Sequence, residues 1–100
     1  VYTSTHDDNT LMGWYDSLSE NKKRAVRKLF KMSRGDDVKK KLLEGALGKC
    51  AKYKIVPIQD YLGYGSGKRM NIPGTLGGNW LFRVRDGVFD KNFAEHIKNI

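Results

Sequence analysis

The feature that most constrains this chain is a long glycine-rich segment at residues 58–83, with the sequence IQDYLGYGSGKRMNIPGTLGGNWLFR. Connections inside a compact domain are usually about 2 to 6 residues long, so a segment of this length is either functional or disordered. Its aromatic residues argue against disorder. The Ile-Pro-Gly-Thr sequence at 72–75 predicts a type II turn, because proline presets φ at the second position and glycine accepts the positive φ of the third. A rigid turn between Asn71 and Asn79 can direct amide groups toward a ligand.

The remainder of the chain divides into strand and helix signals. β-Branched and aromatic residues predict the end of a strand at 1–7, and the apolar centre of 52–58 is typical of a parallel strand buried on both faces. We predict a helical crossover at 10–48, an extended loop region at 59–84 and a terminal helix at 89–100. Two amphipathic helices are expected in the crossover, with buried apolar faces formed by Ala25, Val26, Leu29 and Phe30 and by Val38, Leu42, Leu43, Ala46 and Leu47.

His6 and Asp7 follow the first predicted strand directly. In a parallel α/β barrel the catalytic groups lie where strands give way to the following loops, which makes this pair a candidate for chemistry. Asp8 and Asn9 have the simpler interpretation that they cap the next helix. Trp80 lies in a short extended segment, and its ring is expected either in the core or in a platform for stacking on sugars.

The basic composition suggests an anionic partner, since the formal net charge is +8. However, the lysines and arginines of the crossover fall on the outward faces of the predicted helices, and no RNA-binding or zinc-finger pattern accompanies them. We therefore expect no nucleic-acid partner. The glycines at 63, 65 and 67 do not have the spacing of a phosphate-binding loop, and no metal site or cofactor is expected. No apolar run approaches the roughly 18 residues of a membrane span, so we expect no membrane partner and, with a single cysteine, a cytoplasmic protein.

Three motifs occur in order along the chain: YTSTHD at 2–7 leading into GWY at 13–15, IVPIQDYLG at 55–63, and RMNIPGT at 69–75 followed by GNW at 78–80 and FR at 82–83. Together they resemble the C-terminal sequence of 4-alpha-glucanotransferases, the amylomaltase or disproportionating-enzyme family of glycoside hydrolases. The resemblance covers nearly the whole chain. It implies an α/β fold in which residues 1–100 form the last two strand-helix units of a (β/α)₈ TIM barrel.

The resemblance also implies a function. Members of the family transfer α-1,4-glucan segments between malto-oligosaccharides through a covalent glycosyl-enzyme, which requires a carboxylate nucleophile and a carboxylic acid/base. Those two groups come from earlier strands and thus from the remainder of the barrel. Asp7 corresponds to a third, transition-state-stabilising carboxylate, and the implied substrate-binding residues are His6, Asn71, Arg69, Asn79 and Trp80. The isolated chain is accordingly expected to be inactive.

This sequence departs from the family pattern in two places. Asp8 and Asn9 occur in the reverse of the usual order, and Phe82 replaces a second tryptophan. Two other classes of function stay open on the sequence alone. One is a noncatalytic carbohydrate-binding module, and the other is a small basic nucleic-acid-binding domain, whose affinity for a duplex falls steeply with salt.

Overall fold

A computed structural model of the chain describes residues 1–48 and 50–100. In chain order its elements are α1 (Leu11–Ser17), α2 (Glu20–Leu29), α3 (Val38–Leu47), α4 (Ile58–Leu62), a short 3₁₀-helix at Ser66–Lys68, and α5 (Lys91–Lys98). Of the helices in these residues, none has both the length and the apolar composition needed to cross a membrane.

The two predicted strands meet at a single point. A parallel bridge joins Tyr2 to Ile55, and the Ile55 backbone N–H donates to the Val1 carbonyl oxygen at 2.8 Å. Among the described residues neither predicted stretch, 1–7 or 52–58, extends beyond this bridge into a strand, and Ile58 is already the first residue of α4. The physical reason is Pro57, which has no N–H for a ladder and stands in an extended conformation before the helix.

Helix boundaries follow local capping chemistry. Ser19, Asp37 and Asp90 cap α2, α3 and α5 by accepting a hydrogen bond from a backbone N–H in the first turn. The cap of α1 is Thr10, whose side chain accepts from the Gly13 N–H, so the alternative in which Asp8 or Asn9 caps this helix is wrong.

The buried core of the described residues is small. Its apolar members are Tyr15 on α1 and Leu42 and Leu43 on α3. The predicted burial of the apolar face of α2 is wrong for these residues, since α2 has no buried position and Leu29 is 75% exposed. This face instead borders an open apolar groove of about 960 Å³ between α1, α3 and the first residues of the chain.

A buried carboxylate connects the N-terminal segment to α4. Asp60 is 0% exposed and accepts hydrogen bonds from the hydroxyls of Thr3 and Ser4 at 2.5 and 2.9 Å, and from the Leu11 backbone N–H at 2.8 Å. Lys39 on α3 holds the other end of α4 by donating to the Tyr61 carbonyl oxygen at 3.1 Å. These bonds bring residues 1–11 and the loop after α4 to the same end of the molecule.

Candidate active site

A tight turn presents His6 and Asp7. The Asp8 N–H donates to the Thr5 carbonyl oxygen at 3.2 Å, and Asp8 Oδ2 accepts from both the Thr5 N–H and the Thr5 hydroxyl at 2.8 Å. These two hydrogen bonds lower the pKa of Asp8 below its ordinary value, and the nearby charges of Arg69 and His6 act in the same direction. Asp8 is therefore engaged by its own turn, while the side chains of His6 and Asp7 project from the turn's two central positions.

The carboxylate of Asp7 has neighbours on both of its oxygens. Asn71 Nδ2 donates to Oδ1 at 2.7 Å, and His6 Nε2 lies 3.3 Å from Oδ2. About half of the Asp7 side chain (52%) nevertheless remains exposed. The group is thus oriented by an amide and an imidazole and is still accessible to a ligand.

Arg69 and the backbone of Asn71 lie against the same turn. The Asn71 N–H donates to the His6 carbonyl oxygen at 3.1 Å. Arg69 Nη2 donates to the carbonyl oxygens of Asp7 at 3.1 Å and of Asn71 at 3.3 Å. Its buried Nε has no acceptor among the described residues. Arg69 therefore joins two loops through their backbones and does not touch the Asp7 carboxylate.

The residues after Asn71 form the predicted type II turn. The Thr75 N–H donates to the Ile72 carbonyl oxygen at 3.2 Å, and Gly74 has a φ of 80°. Asn79 closes the loop from the side, because its Oδ1 accepts from the Ile72 N–H and its Nδ2 donates to the Thr75 hydroxyl, both at 2.9 Å. Asn79 thus supports the turn and does not point at Asp7.

Trp80 lies over His6, and its ring centroid is 5.2 Å from that of the imidazole. Its backbone has a φ of 61°, a left-handed conformation that is uncommon for a bulky residue. The conformation is held by a hydrogen bond of 2.6 Å from the Trp80 N–H to the Met70 carbonyl oxygen. With the residue 55% exposed, the indole lies beside His6 with an accessible surface and is not part of the core.

The structure brings all six candidate residues together at this end of the molecule. His6, Arg69 and Trp80 line a cleft of about 450 Å³. Asp7 and Asn71 are next to this cleft, because the contacts described above join them to His6 and Arg69. Asn79 contacts the turn at 72–75 and is not among the residues that line the cleft.

The sequence reasoning missed the residues that support these groups. Gln59 and Asp60 were not among the predicted site residues, but both are buried in α4 and line the cleft. Asn9, one of the two reversed residues, donates from Nδ2 to the Ser66 hydroxyl at 2.9 Å. The available signal was the position of Asp60 directly after a predicted barrel strand.

Phe82, the other departure from the family pattern, packs edge-on against Tyr64 with ring centroids 6.0 Å apart. This contact uses the ring and needs no indole N–H. Within residues 1–48 and 50–100, no three side chains of the His, Cys, Asp or Glu type come together in a group that could hold a metal ion.

Comparison with known proteins places this geometry in a known class. The structure superimposes on part of the amylomaltase from Streptococcus agalactiae, solved in complex with acarbose, with a TM-score of 0.90 and 26% identity. The match covers 98% of this chain and 20% of that one, so the fold of the chain is that of one segment of an amylomaltase.

The sequence comparisons agree with the structural match. The sequence profile of the 4-alpha-glucanotransferase family matches residues 1–89, and the chain belongs to this family. It is 43% identical over 99 residues to the chloroplastic/amyloplastic 4-alpha-glucanotransferase of Solanum tuberosum, covering 98% of this chain and 17% of that protein. It is 35% identical over 100 residues to the 4-alpha-glucanotransferase of Synechocystis sp., covering 100% of this chain and 20% of the relative. The chain therefore spans about a fifth of the length of the relatives it matches.

Proposed function

We propose that this chain is the C-terminal part of a 4-alpha-glucanotransferase that transfers α-1,4-glucan segments between malto-oligosaccharides by a retaining mechanism. In this proposal residues 1–100 supply the last two strand-helix units of a (β/α)₈ barrel. The nucleophile and the acid/base belong to the remainder of the barrel. No metal ion or organic cofactor takes part in the transfer.

The observation that carries the proposal is the arrangement around Asp7. Glycosyl transfer passes through an oxocarbenium-like transition state, and a fixed carboxylate favours it only where the interaction is stronger in the transition state than in the bound sugar. Asp7 suits this role, because Asn71 and His6 orient it while half of it stays accessible. A preorganised negative group of this kind needs little reorganisation during the reaction. His6 and Asn71 would in addition bind sugar hydroxyls, and Trp80 would stack on a sugar ring.

Exposed apolar side chains support the proposal that the remainder of the barrel packs against this chain. Tyr2 and Ile55 form the parallel bridge, yet both are about two-thirds exposed, as is Tyr53 beside them. Strands of a parallel barrel are normally covered on both faces. The radius of gyration, 14.3 Å, also exceeds the roughly 13 Å typical of an independent domain of this length. Neighbouring strands would cover the exposed pair, and other parts of the barrel domain would fill the groove beside α2.

The proposed substrates are malto-oligosaccharides and longer α-1,4-glucans. The amylomaltase from Streptococcus agalactiae was solved in complex with acarbose, which supports ligands of the malto-oligosaccharide type. The potato relative is named as chloroplastic/amyloplastic, so a plastid is an alternative to the cytoplasmic location that we propose. Neither nucleic acid nor a membrane is a partner in this proposal.

The test is conversion of maltotriose by the full-length protein that contains this chain. We expect glucose together with oligomers longer than maltotriose, separated by chromatography and detected by mass. The purified 100-residue chain should give neither product, because it lacks the nucleophile and the acid/base. Products from the isolated chain, or hydrolysis without any longer oligomer from the full-length protein, would contradict the proposal.

The same preparations test the carbohydrate-binding alternative, which the exposed indole of Trp80 keeps open. A module of that kind would bind maltoheptaose saturably in calorimetry, and the full-length protein would show no turnover. The nucleic-acid alternative predicts binding to a duplex that weakens steeply between 50 and 200 mM salt.

A further inference from the structure

Asp60 is a buried carboxylate that the proposed reaction does not use. Its Oδ2 accepts from the Thr3 and Ser4 hydroxyls, and its Oδ1 accepts from the Leu11 backbone N–H. A carboxylate that is 0% exposed requires such partners, because removing an unpaired charge from water is costly. The side chain therefore ties two places in the chain, the adjacent residues Thr3 and Ser4 and the start of α1 at Leu11, to α4.

These hydrogen bonds also affect the candidate site, because Asp60's partners flank the loop that carries His6 and Asp7. Ser4 and Leu11 stand at the two ends of the loop at residues 5–10, and this loop carries His6 and Asp7. Each end is bonded to a different oxygen of the same carboxylate, so the separation of the ends is fixed by one planar group. Between them, the turn that Asp8 closes on Thr5 fixes the loop internally.

The second half of the site starts from the same helix. The chain that leaves α4 returns as Arg69 and Asn71, which bond to the backbone of His6 and Asp7 and to the Asp7 carboxylate. Asp60 thus stands at the junction of the two loops whose contact orients Asp7.

We propose that Asp60 is a positioning residue for the catalytic site: its two carboxylate oxygens hold the loop at 5–10 at the distance at which Asn71 can orient Asp7. The inference deepens the proposed function and rests on it. In this role Asp60 acts through the position of the loop and not through its own contact with the sugar, because its side chain is 0% exposed.

Two substitutions of Asp60 distinguish its role in positioning the loop from an effect of its negative charge. In Asp60→Asn the side-chain oxygen can still accept from the Leu11 N–H, and the two amide hydrogens can be donated to the Thr3 and Ser4 hydroxyls, which then act as acceptors. The asparagine removes the charge but keeps all three connections. Asp60→Ala removes all three and leaves the part-buried Leu11 N–H without its acceptor.

The experiment measures kcat and KM for maltotriose in the full-length protein. We expect Asp60→Ala to lower kcat by about 10- to 100-fold, since a misplacement of about 1 Å in a catalytic group costs up to about 100-fold. The KM should change by less than about 3-fold, and Asp60→Asn should retain kcat within about 3-fold. Leu43→Ala serves as the control, because Leu43 is fully buried in α3 and does not line the cleft, so its truncation should lower the melting temperature without changing kcat per folded molecule.

Two kinetic outcomes would overturn the inference. If Asp60→Ala keeps the wild-type kcat, the loop does not depend on Asp60. If Asp60→Asn is as impaired as Asp60→Ala, the charge matters and the position does not.

Amide hydrogen exchange of a peptide covering residues 5–11 gives a readout that does not need activity. Exchange should accelerate in Asp60→Ala and stay at the wild-type rate in Asp60→Asn, whereas an unchanged rate in Asp60→Ala contradicts the positioning role. A wild-type protein that fails to convert maltotriose refutes the proposed function, and the exchange of this peptide still decides whether Asp60 holds the loop.

Discussion

Replacing Asp7 by asparagine in the full-length protein tests the electrostatic role of this side chain most directly. Asparagine has nearly the same shape, and its oxygen can still accept the 2.7 Å hydrogen bond from Asn71. Its Nδ2 would face His6, where Oδ2 now lies 3.3 Å from Nε2. The substitution therefore removes the negative charge with little change in the geometry of the loop.

The expected loss follows from Coulomb's law. A unit charge about 5 Å from a developing positive charge contributes about 1 kcal/mol in a solvent-like dielectric and about 3 kcal/mol at an effective dielectric constant of 20. Asp7 is 52% exposed in the free site, so the lower value is the starting point, and bound substrate shifts it toward the upper value. At 1.36 kcal/mol for each factor of ten, kcat should fall by about 5- to 150-fold.

The assay is release of glucose from maltotriose, with kcat and KM determined separately. The KM should change little if the interaction strengthens mainly in the transition state. Asp16→Asn is the matched control, since Asp16 is an exposed aspartate on α1 and the same loss of charge there should leave kcat unchanged. Asn71→Ala should cost less than Asp7→Asn, because it removes one hydrogen bond to a half-exposed carboxylate and leaves the charge. A kcat for Asp7→Asn within about 2-fold of wild type would refute the electrostatic reasoning.

Three further predictions concern neighbouring features. The pKa of Asp8 should lie below 3.8 in a carbon-13 titration, and Thr5→Val, which removes the hydroxyl donor, should raise this pKa. Because the folded-state pKa is depressed, the turn's contribution to stability is complete above the unfolded-state pKa and disappears as the pH falls through the folded-state pKa. An unshifted pKa of Asp8 would contradict this prediction. Gly45→Ala should lower the melting temperature, since the new Cβ would collide with the Phe30 ring, whose displacement should cost about 1–3 kcal/mol and outweigh the gain of up to about 1 kcal/mol from replacing a glycine inside α3. An unchanged melting temperature would show that the ring relocates freely. Trp80→Phe should retain more affinity for maltoheptaose in calorimetry than Trp80→Ala, because phenylalanine keeps a stacking face, and equal affinities would argue against a sugar platform.

Local chemistry was sufficient for several elements. The proline and glycine of the turn at 72–75 restrict φ at adjacent positions, and Ser19 and Asp37 cap helices through bonds to N–H groups three residues away. Such interactions act over three or four residues and are visible in a single sequence. The order of three motifs also indicated the family and directed attention to His6 and Asp7.

The tertiary structure alone determined how these parts combine. Asp60 is polar and follows a predicted strand, and only the approach of Thr3 and Ser4, more than fifty residues away, makes it a buried junction. The left-handed backbone of Trp80 runs against its local preference and is held by Met70 and by the ring of His6. Amphipathic periodicity predicts a burial face for α2, but whether that face is covered depends on which surfaces pack against it. Contacts between distant segments have no local signature, because they depend on where the whole chain places each side chain.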